Sequence, residues 1–442
     1  MLDTLVVGLG DTGLACARFL AARGERFAVA DSRTNPPGID ELKRELPEVA
    51  CHCGDFDATL LRSARRLLLS PGVAPQHPAI AAAQQAGVAV LGDIELFARH
   101  ADAPVVAITG SNGKSTVTTL LGEMAQAAGK VVRVGGNIGT PALALLSAEA
   151  PDLYVLELSS FQLEVTSSLN AAAAVVLNIS EDHLDRHGTL SHYAAIKQTI
   201  YRGDGVVILN RDDAQVMAMA QPGRVTVSFG LDGAPTENDF GLLQRDGISW
   251  LGKGHEPLLA VTAMKMPGRH NWSNALAALA LGEAVGIDMA AMVQVLRDFP
   301  GLPHRCQWVA EQHGVNFYED SKGTNVGATL AALEGMPGER VVLIAGGQGK
   351  GQDFAPLRPA LAARARAVVL MGEDAPLMEQ ALAGAAPLVL AADIDDAVAR
   401  ARELAQPGDS VLLSPACASF DMFRNYVHRG EAFVAAVLGV TS

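Results

Sequence analysis

A chain of 442 residues, 49% of them apolar and 19% charged, exceeds what one hydrophobic core serves, so the sequence predicts two to three domains, folded throughout. A net charge of −14 removes any general attraction to polyanions and with it a nucleic-acid partner; anionic small molecules then need locally placed Lys, Arg and backbone N–H groups. Five scattered cysteines, Cys16, Cys51, Cys53, Cys306 and Cys417, exclude a disulfide framework.

At the amino end, Leu2-Asp3-Thr4 runs straight into Leu5-Val6-Val7-Gly8, with neither a basic segment nor a long apolar stretch. No signal peptide or membrane span is expected, and the chain reads as cytoplasmic. Short apolar runs then alternate with helix-like stretches along the whole length, the α/β pattern of largely parallel sheets. In a first block, residues 1–92, strands are predicted at 4–7, 27–30, 66–69 and 88–91, with Ala/Leu helices after Gly13 and near 79–86. Gly8-Leu9-Gly10-Asp11-Thr12-Gly13 lies between a strand and a helix, with Asp31 ending the next strand, which is the spacing of a dinucleotide fingerprint. Alone it reads as an NAD-dependent oxidoreductase or a nucleotide sensor, although a UDP-sugar held by its pyrophosphate would use the same helix amino end. Cys51-His52-Cys53 looks like half a metal site, but no second Cys/His pair stands at zinc spacing, so a strand-end packing cluster is expected.

The second block, residues 93–300, carries predicted strands at 104–108, 153–156, 173–177 and 206–209, an irregular antiparallel piece near 225–259, and helices at 270–285 and 289–298. Its strongest signal is Gly110-Ser111-Asn112-Gly113-Lys114-Ser115-Thr116, after the strand 104–108. Val117, Leu120, Leu121 and Met124 follow at helical spacing, so the glycine loop sits at a helix amino end. There, backbone N–H groups can surround phosphate oxygens, Lys114 adds charge and Ser115 can coordinate Mg²⁺. A strict phosphate loop would have glycine where Ile108 stands, so this is a shortened form. Glu157 ends one strand and Asn178-Ile179-Ser180-Glu181-Asp182-His183 another, on the carboxyl edge where ligands of open α/β sheets collect. Phe299-Pro300-Gly301-Leu302-Pro303 breaks the helical pattern and is expected to be a hinge; a third block, residues 301–442, restarts with strands at 315–318, 340–344, 367–370, 387–390 and 410–413.

Taken in order, these motifs resemble the Mur ligases over essentially the entire chain, and within that family the branch that adds D-glutamate. Further stretches that carry the likeness are Gly136-Asn137-Ile138-Gly139, Glu157-Leu158-Ser159-Ser160-Phe161-Gln162, His270-Asn271-Trp272-Ser273-Asn274, His304-Arg305-Cys306, Asp320-Ser321-Lys322-Gly323-Thr324-Asn325, Gly346-Gly347-Gln348-Gly349-Lys350 and Ser414-Pro415-Ala416-Cys417-Ala418-Ser419. The resemblance implies an α/β chain of three domains: a Rossmann-like amino-terminal domain for the UDP-substrate, a central P-loop ATPase-type domain, and a Rossmann-like carboxy-terminal domain that binds glutamate and closes over the site. It implies a monomeric ligase that uses ATP and two Mg²⁺ ions to join the carboxylate of UDP-N-acetylmuramoyl-L-alanine to the amine of D-glutamate through an acyl phosphate.

By the same likeness Gly10, Asp11, Thr12, Asp31, Ser32, Arg33, Ser70, Pro71 and Gly72 hold the UDP portion, and Asn137, Gln162 and His183 face the muramoyl-alanine. ATP lies on residues 110–116, gripped by Asn271, Asn274, Arg305 and Asp320; the two asparagines, three apart on one predicted helix, share a face. Lys322, Thr324, Lys350, Ser419, Phe420 and Tyr426 cradle glutamate. Lys114, Glu157, His183 and Lys197 are the catalytic set, with Ser115, Glu157, His183 and a carbamoylated Lys197 as metal ligands, since a carbamate turns an ammonium that would repel Mg²⁺ into an anion with two oxygens. Gly323, Gln348 and Tyr426 depart from the family pattern, where alanine, an acid and phenylalanine are usual. Asp-Ser-Lys at 320–322, in place of the Asp-Asn-Pro-Arg of the diaminopimelate-adding branch, favours glutamate.

Overall fold

The computed structural model describes residues 2–439 apart from Ser147 and Pro267. Among these residues three sheets form in chain order. The first is parallel, with strands in the order Cys51–Cys53, Phe27–Asp31, Leu2–Val7, Ala64–Leu69, Ala89–Gly92. Strand order reverses at Leu2–Val7, so the crevice beyond its carboxyl end is where a ligand is expected. Helix Asp11–Ala22 starts ahead of the expected point and takes Gly13 inside it. A Cβ at Gly13 would lie 1.9 Å from the Gly8 carbonyl oxygen, so only glycine lets helix and loop approach this closely.

The central sheet runs Glu256–Ala260, Ile248–Lys253, Phe240–Arg245, Thr226–Phe229, Val206–Asn210, Ala173–Val176, Val105–Thr109, Leu153–Glu157, Val132–Gly136. It is parallel except for the Phe240–Ala260 meander, the antiparallel piece expected near residues 225–259. Helix Lys114–Ala127 buries Val117, Leu120, Leu121 and Met124 against helix Arg269–Ala284, which is apolar on nearly every face from Ala275 to Leu281 and accordingly buried. The third sheet runs Gln307–Gln312, Val315–Glu319, Ser410–Leu413, Val341–Gly346, Ala365–Met371, Leu388–Leu390, parallel except for its first strand. That edge strand was not predicted: Gln307-Trp308-Val309-Ala310-Glu311-Gln312 exposes Trp308 and has little apolar alternation to read.

One apolar cluster spans the first two sheets, from Val6 and Leu9 through Ile94, Leu96 and Phe97 to Tyr154 and Leu156. Phe97 meets Tyr154 edge-on at 5.1 Å, and buried Glu95 accepts hydrogen bonds from the Ser167 and Ser168 N–H groups. The carboxy-terminal domain keeps its own apolar clusters and meets the phosphate loop through polar side chains. No described helix is long and apolar enough to cross a membrane.

Candidate active site

Strand Val105–Thr109 delivers the phosphate loop to the carboxyl edge of the central sheet, and helix Lys114–Ala127 begins at Lys114 with no side chain capping its amino end. Gly110 and Gly113 have φ of 149° and 86°, and a Cβ on Gly113 would meet Asn274 Oδ1 at 2.4 Å. The neighbouring strand end braces the loop. Asn178 accepts from the Asn112 N–H at 2.8 Å and donates to the Asn112 carbonyl at 3.0 Å, while Ser111 N–H donates to the Asn178 carbonyl at 2.9 Å. Lys114 Nζ turns back over the loop and donates to the carbonyls of Gly110 and Ser111 at 2.8 and 2.9 Å. Burial holds its ammonium below the usual lysine range, against the pull of Glu157 and Asp182.

Lys197, on helix Leu190–Gln198, is 1% exposed. Its Nζ donates to Thr109 Oγ1 and the Gly110 carbonyl at 3.1 and 3.0 Å and lies 4.6 Å from the centroid of the Tyr193 ring. Burial, reinforced by Lys114, pushes this amine well below the ordinary lysine value. Glu157 is buried; Oε1 accepts from Asn137 Nδ2 at 2.9 Å and Oε2 has no hydrogen-bond partner. His183 stands in the left-handed region, φ 54°, packed edge-on against Phe161. Burial, outweighing the Asp182 carboxylate, lowers its imidazole to about 4, which leaves a neutral ring able to ligate a cation. No group of three or more His, Cys, Asp or Glu side chains converges as a preformed metal site among the described residues. Ser115 Oγ accepts from Arg305 Nη2 at 3.0 Å, across the domain boundary.

Beside the loop a cavity of about 280 Å³ is lined by Asn112, Gly113, Thr116, Asn271, Asn274, Arg305 and Asp320 of the expected nucleotide set and by Lys322, expected for glutamate; Gly110, Ser111, Lys114 and Ser115 are not in its lining. Asp320 accepts from Ser414 Oγ at 2.7 Å and the Cys306 N–H at 3.2 Å, and burial raises its carboxyl to about 7. A second cavity, about 530 Å³, opens at the strand-order reversal of the first sheet and is lined by Gly10, Asp11, Thr12, Asp31, Ser32, Arg33, Ser70, Pro71, Gly72 and Asn137. Asp31 is tied up within it: one oxygen takes the Leu9 N–H at 2.6 Å and both take the Arg33 guanidinium. Burial would raise this carboxyl, but Arg33 and the N–H groups hold it below its usual value. Gln162 lies apart from both cavities, 2% exposed; it completes a capping box with Ser159 and donates to Asp93 Oδ2 at 3.0 Å.

In the third domain Lys322 Nζ lies 3.9 Å from the Tyr426 ring centroid, and burial, with Arg305 and Lys114 nearby, lowers it to about 8. Thr324 follows in the same loop; Ser419 is buried next to exposed Phe420. Lys350, φ 55°, reaches out of its own domain to Asp182 Oδ1 at 2.5 Å. Asn325 exchanges amide hydrogen bonds with Asn112 at 3.0 and 3.2 Å and donates to Asp182 at 3.3 Å. Asp182 and Asn325 lie inside motifs that the sequence singled out, yet neither was assigned a role. Arg429 was missed outright. It is 1% exposed and donates to Ser321 Oγ and to the Ser321, Cys417 and Ala418 carbonyls, tying the loop at 320–324 to that at 414–419. The available signal was its spacing, four from Phe433 and eight from Val437, which puts it on the buried face of helix Tyr426–Leu438.

Three family models match in succession: "Mur ligase MurD-like, N-terminal domain" over residues 3–92, "Mur ligase middle domain" over 108–282 and "Mur ligase, glutamate ligase domain" over 304–417. The UDP-N-acetylmuramoylalanine--D-glutamate ligase of Nitrosococcus oceani is 55% identical over 440 residues, 99% of this chain and 97% of that one. Its Pseudomonas aeruginosa namesake is 54% identical over 436 residues, 98% and 97% of the two chains. Among solved structures, UDP-N-acetylmuramate-alanine ligase from Thermotoga maritima superposes with a TM-score of 0.62 over 100% of both chains, and MurF from Acinetobacter baumannii with 0.61 over 97% and 90%. At 19% and 18% identity these two speak for the fold alone.

Proposed function

The chain belongs to the Mur ligase family, and from that premise we propose that it joins the amine of D-glutamate to the L-alanine carboxylate of UDP-N-acetylmuramoyl-L-alanine, converting ATP to ADP and phosphate, in peptidoglycan precursor synthesis. The observation that carries this reading is the meeting of two domains at one loop: Arg305 on Ser115 and Asn325 on Asn112 reach the phosphate loop from the third domain, and Lys350 reaches Asp182 at the neighbouring strand end.

A carboxylate does not react with an amine at neutral pH. The γ-phosphoryl group of ATP is therefore transferred first to the alanine carboxylate oxygen, giving ADP and an acyl phosphate. The glutamate amine, as the free base, then attacks the acyl carbon, a tetrahedral intermediate forms, and phosphate leaves with the original carboxylate oxygen as the nitrogen gives up one proton. Lys114, freed from its two carbonyls, offsets charge on the transferring phosphoryl group, and the helix amino end behind it orients phosphate oxygens. Asn271, Asn274, Arg305 and Asp320 hold the nucleotide, and Lys322, Thr324, Lys350, Ser419, Phe420 and Tyr426 hold glutamate. Closure of the third domain about residues 299–303 keeps water from the acyl phosphate.

The donor set suits two Mg²⁺ ions: Glu157 Oε2 is a buried oxygen without a partner, His183 is neutral, and Ser115 supplies a hydroxyl. Lys197 fits as the site of a carbamate: its buried Nζ, held beside the loop by Thr109 Oγ1 and the Gly110 carbonyl, would add as the free amine to carbon dioxide, forming an N–C bond and losing one proton. Bound there, the ions would supply positive charge opposite the phosphoryl oxygens. The reading takes the enzyme as a cytoplasmic monomer.

The test is ADP release with UDP-N-acetylmuramoyl-L-alanine and a panel of D- and L-amino acids, with ¹⁸O in the alanine carboxylate. D-glutamate alone should drive turnover, and one ¹⁸O should appear in phosphate. Turnover with another amino acid overturns the substrate; unlabelled phosphate overturns the acyl phosphate.

A further inference from the structure

The cysteine pair on the edge of the first sheet has no part in the ligase reading. Strand Cys51–Cys53 is three residues long and hydrogen-bonded on one side only, in parallel register with Val29, Ala30 and Asp31. Alternation along a strand puts both thiols on one face, with Sγ–Sγ at 3.6 Å, van der Waals contact for two sulfurs. His52, between them, points to the other face. The packing cluster expected from sequence is therefore only half present: Cys51 leans on the apolar core, while His52 and Cys53 are exposed.

We propose that Cys51 and Cys53 are a redox-active dithiol, closed to a disulfide by hydroperoxides, whose state is felt in the neighbouring cavity at Asp31 and Arg33. Cys53, the more exposed sulfur, attacks the peroxide; its S–O bond forms as the O–O bond breaks, giving a sulfenic acid and one molecule of alcohol, or of water when the peroxide is hydrogen peroxide. Cys51 then attacks the Cys53 sulfur, the S–S bond forms, and hydroxide leaves with the Cys51 proton as water. Two thiols thereby lose two electrons and one peroxide gains them. Burial, with Cys53 alongside, pushes the Cys51 thiol up, and the greater exposure of Cys53 makes it the sulfur that a peroxide reaches first. Closing from contact to a bond of about 2.05 Å needs strand movement, and a short edge strand resists movement least. The shift passes directly to the cavity: Cys53 is the ladder partner of Asp31, and Gly54 N–H donates to the Asp31 carbonyl at 2.9 Å.

The coupling to ligand affinity rests on the reading of this cavity as the UDP-substrate site; the dithiol itself does not. The full chain, treated with stoichiometric hydrogen peroxide, should lose the mass of two hydrogens, with the crosslink mapped to the peptide containing both cysteines and reversed by dithiothreitol. Cys53→Ser should give no crosslink, and a chain with Cys16, Cys306 and Cys417 all replaced by Ala should still give it. Oxygen addition at Cys53 without closure, or thiols that stay reduced, overturns the dithiol. In titration calorimetry with UDP-N-acetylmuramoyl-L-alanine, the crosslinked chain should bind several-fold more weakly than the reduced one. Equal affinities overturn the coupling alone, and a reduced chain that does not bind this substrate overturns the ligase reading while leaving the disulfide result standing.

Discussion

Four lysines, Lys114, Lys197, Lys322 and Lys350, share the cleft in different surroundings. Lys197 is the most deeply placed, bonded to a hydroxyl and a carbonyl and lowered well below the usual lysine value by burial. Lys197→Ala is expected to lose most activity, by roughly 10²-fold or more, as when a group that stabilises transition-state charge is removed; added short carboxylates should partly restore ADP release. Full activity in the variant would end the carbamate assignment. Asp320 offers a test in pH. Its folded value of about 7 lies above the unfolded 3.8, so between these values the native state binds more protons and stability falls as pH rises, levelling off above about 7. Asp320→Asn removes that penalty. Thermal melts should show little difference at pH 4 and a gain growing to the order of 2–4 kcal/mol at pH 8, with ATP affinity reduced at both. A gain that shrinks with rising pH would contradict the raised carboxyl.

Short loops and caps decide how well those side chains are held. Gln162 separates a structural role from a substrate role: its carbonyl caps Ser159 while its amide donates to Asp93, itself raised to about 6 by burial. Gln162→Ala should cost about 1–3 kcal/mol in urea unfolding, through a lost cap and an unpaired buried carboxyl, with a nearly unchanged KM for the UDP-substrate. A large KM rise without a stability change would return Gln162 to the substrate. Arg429→Met should cost about 2–5 kcal/mol, because it leaves the Ser321 and Cys417 carbonyls without their donor in a buried place, while Ala418 keeps the Gln348 N–H. The measurement is again denaturant unfolding, with glutamate KM rising as the loops at 320–324 and 414–419 come apart. Much of this scale was legible in sequence. The glycine loop, the central strands and the helix after Lys114 follow from apolar periodicity and from backbone conformations that glycine permits. Arg429 and the edge strand Gln307–Gln312 did not follow, since a buried arginine looks like any helix arginine until its carbonyl partners are assembled from distant loops.

Across the whole molecule, the first two domains share an apolar cluster while the third reaches the phosphate loop with polar groups. Polar contacts of this kind form and break at little net cost, which suits a domain that must admit substrates and then shut. Asn325→Ala removes the amide pair with Asn112 and the bond to Asp182. The variant should shift toward an expanded average shape in small-angle scattering, lose roughly tenfold in kcat/KM for glutamate, and release more ADP without product as water reaches the acyl phosphate. Unchanged scattering and coupling would show that closure does not depend on this pair. The cleft between domains was legible only as two half-lists of motifs; which residues face one another across it depends on how separately folded sheets dock, and no local pattern encodes that.

The resting posture of Lys114 sets how quickly the enzyme can capture its fuel. An ammonium locked to a carboxylate must be pried loose before an incoming polyphosphate can use it, and each capture would then wait on a thermal fluctuation. Lys114 instead leans on two uncharged carbonyl oxygens of its own loop, so an incoming triphosphate has no ion pair to break before it draws the ammonium toward itself.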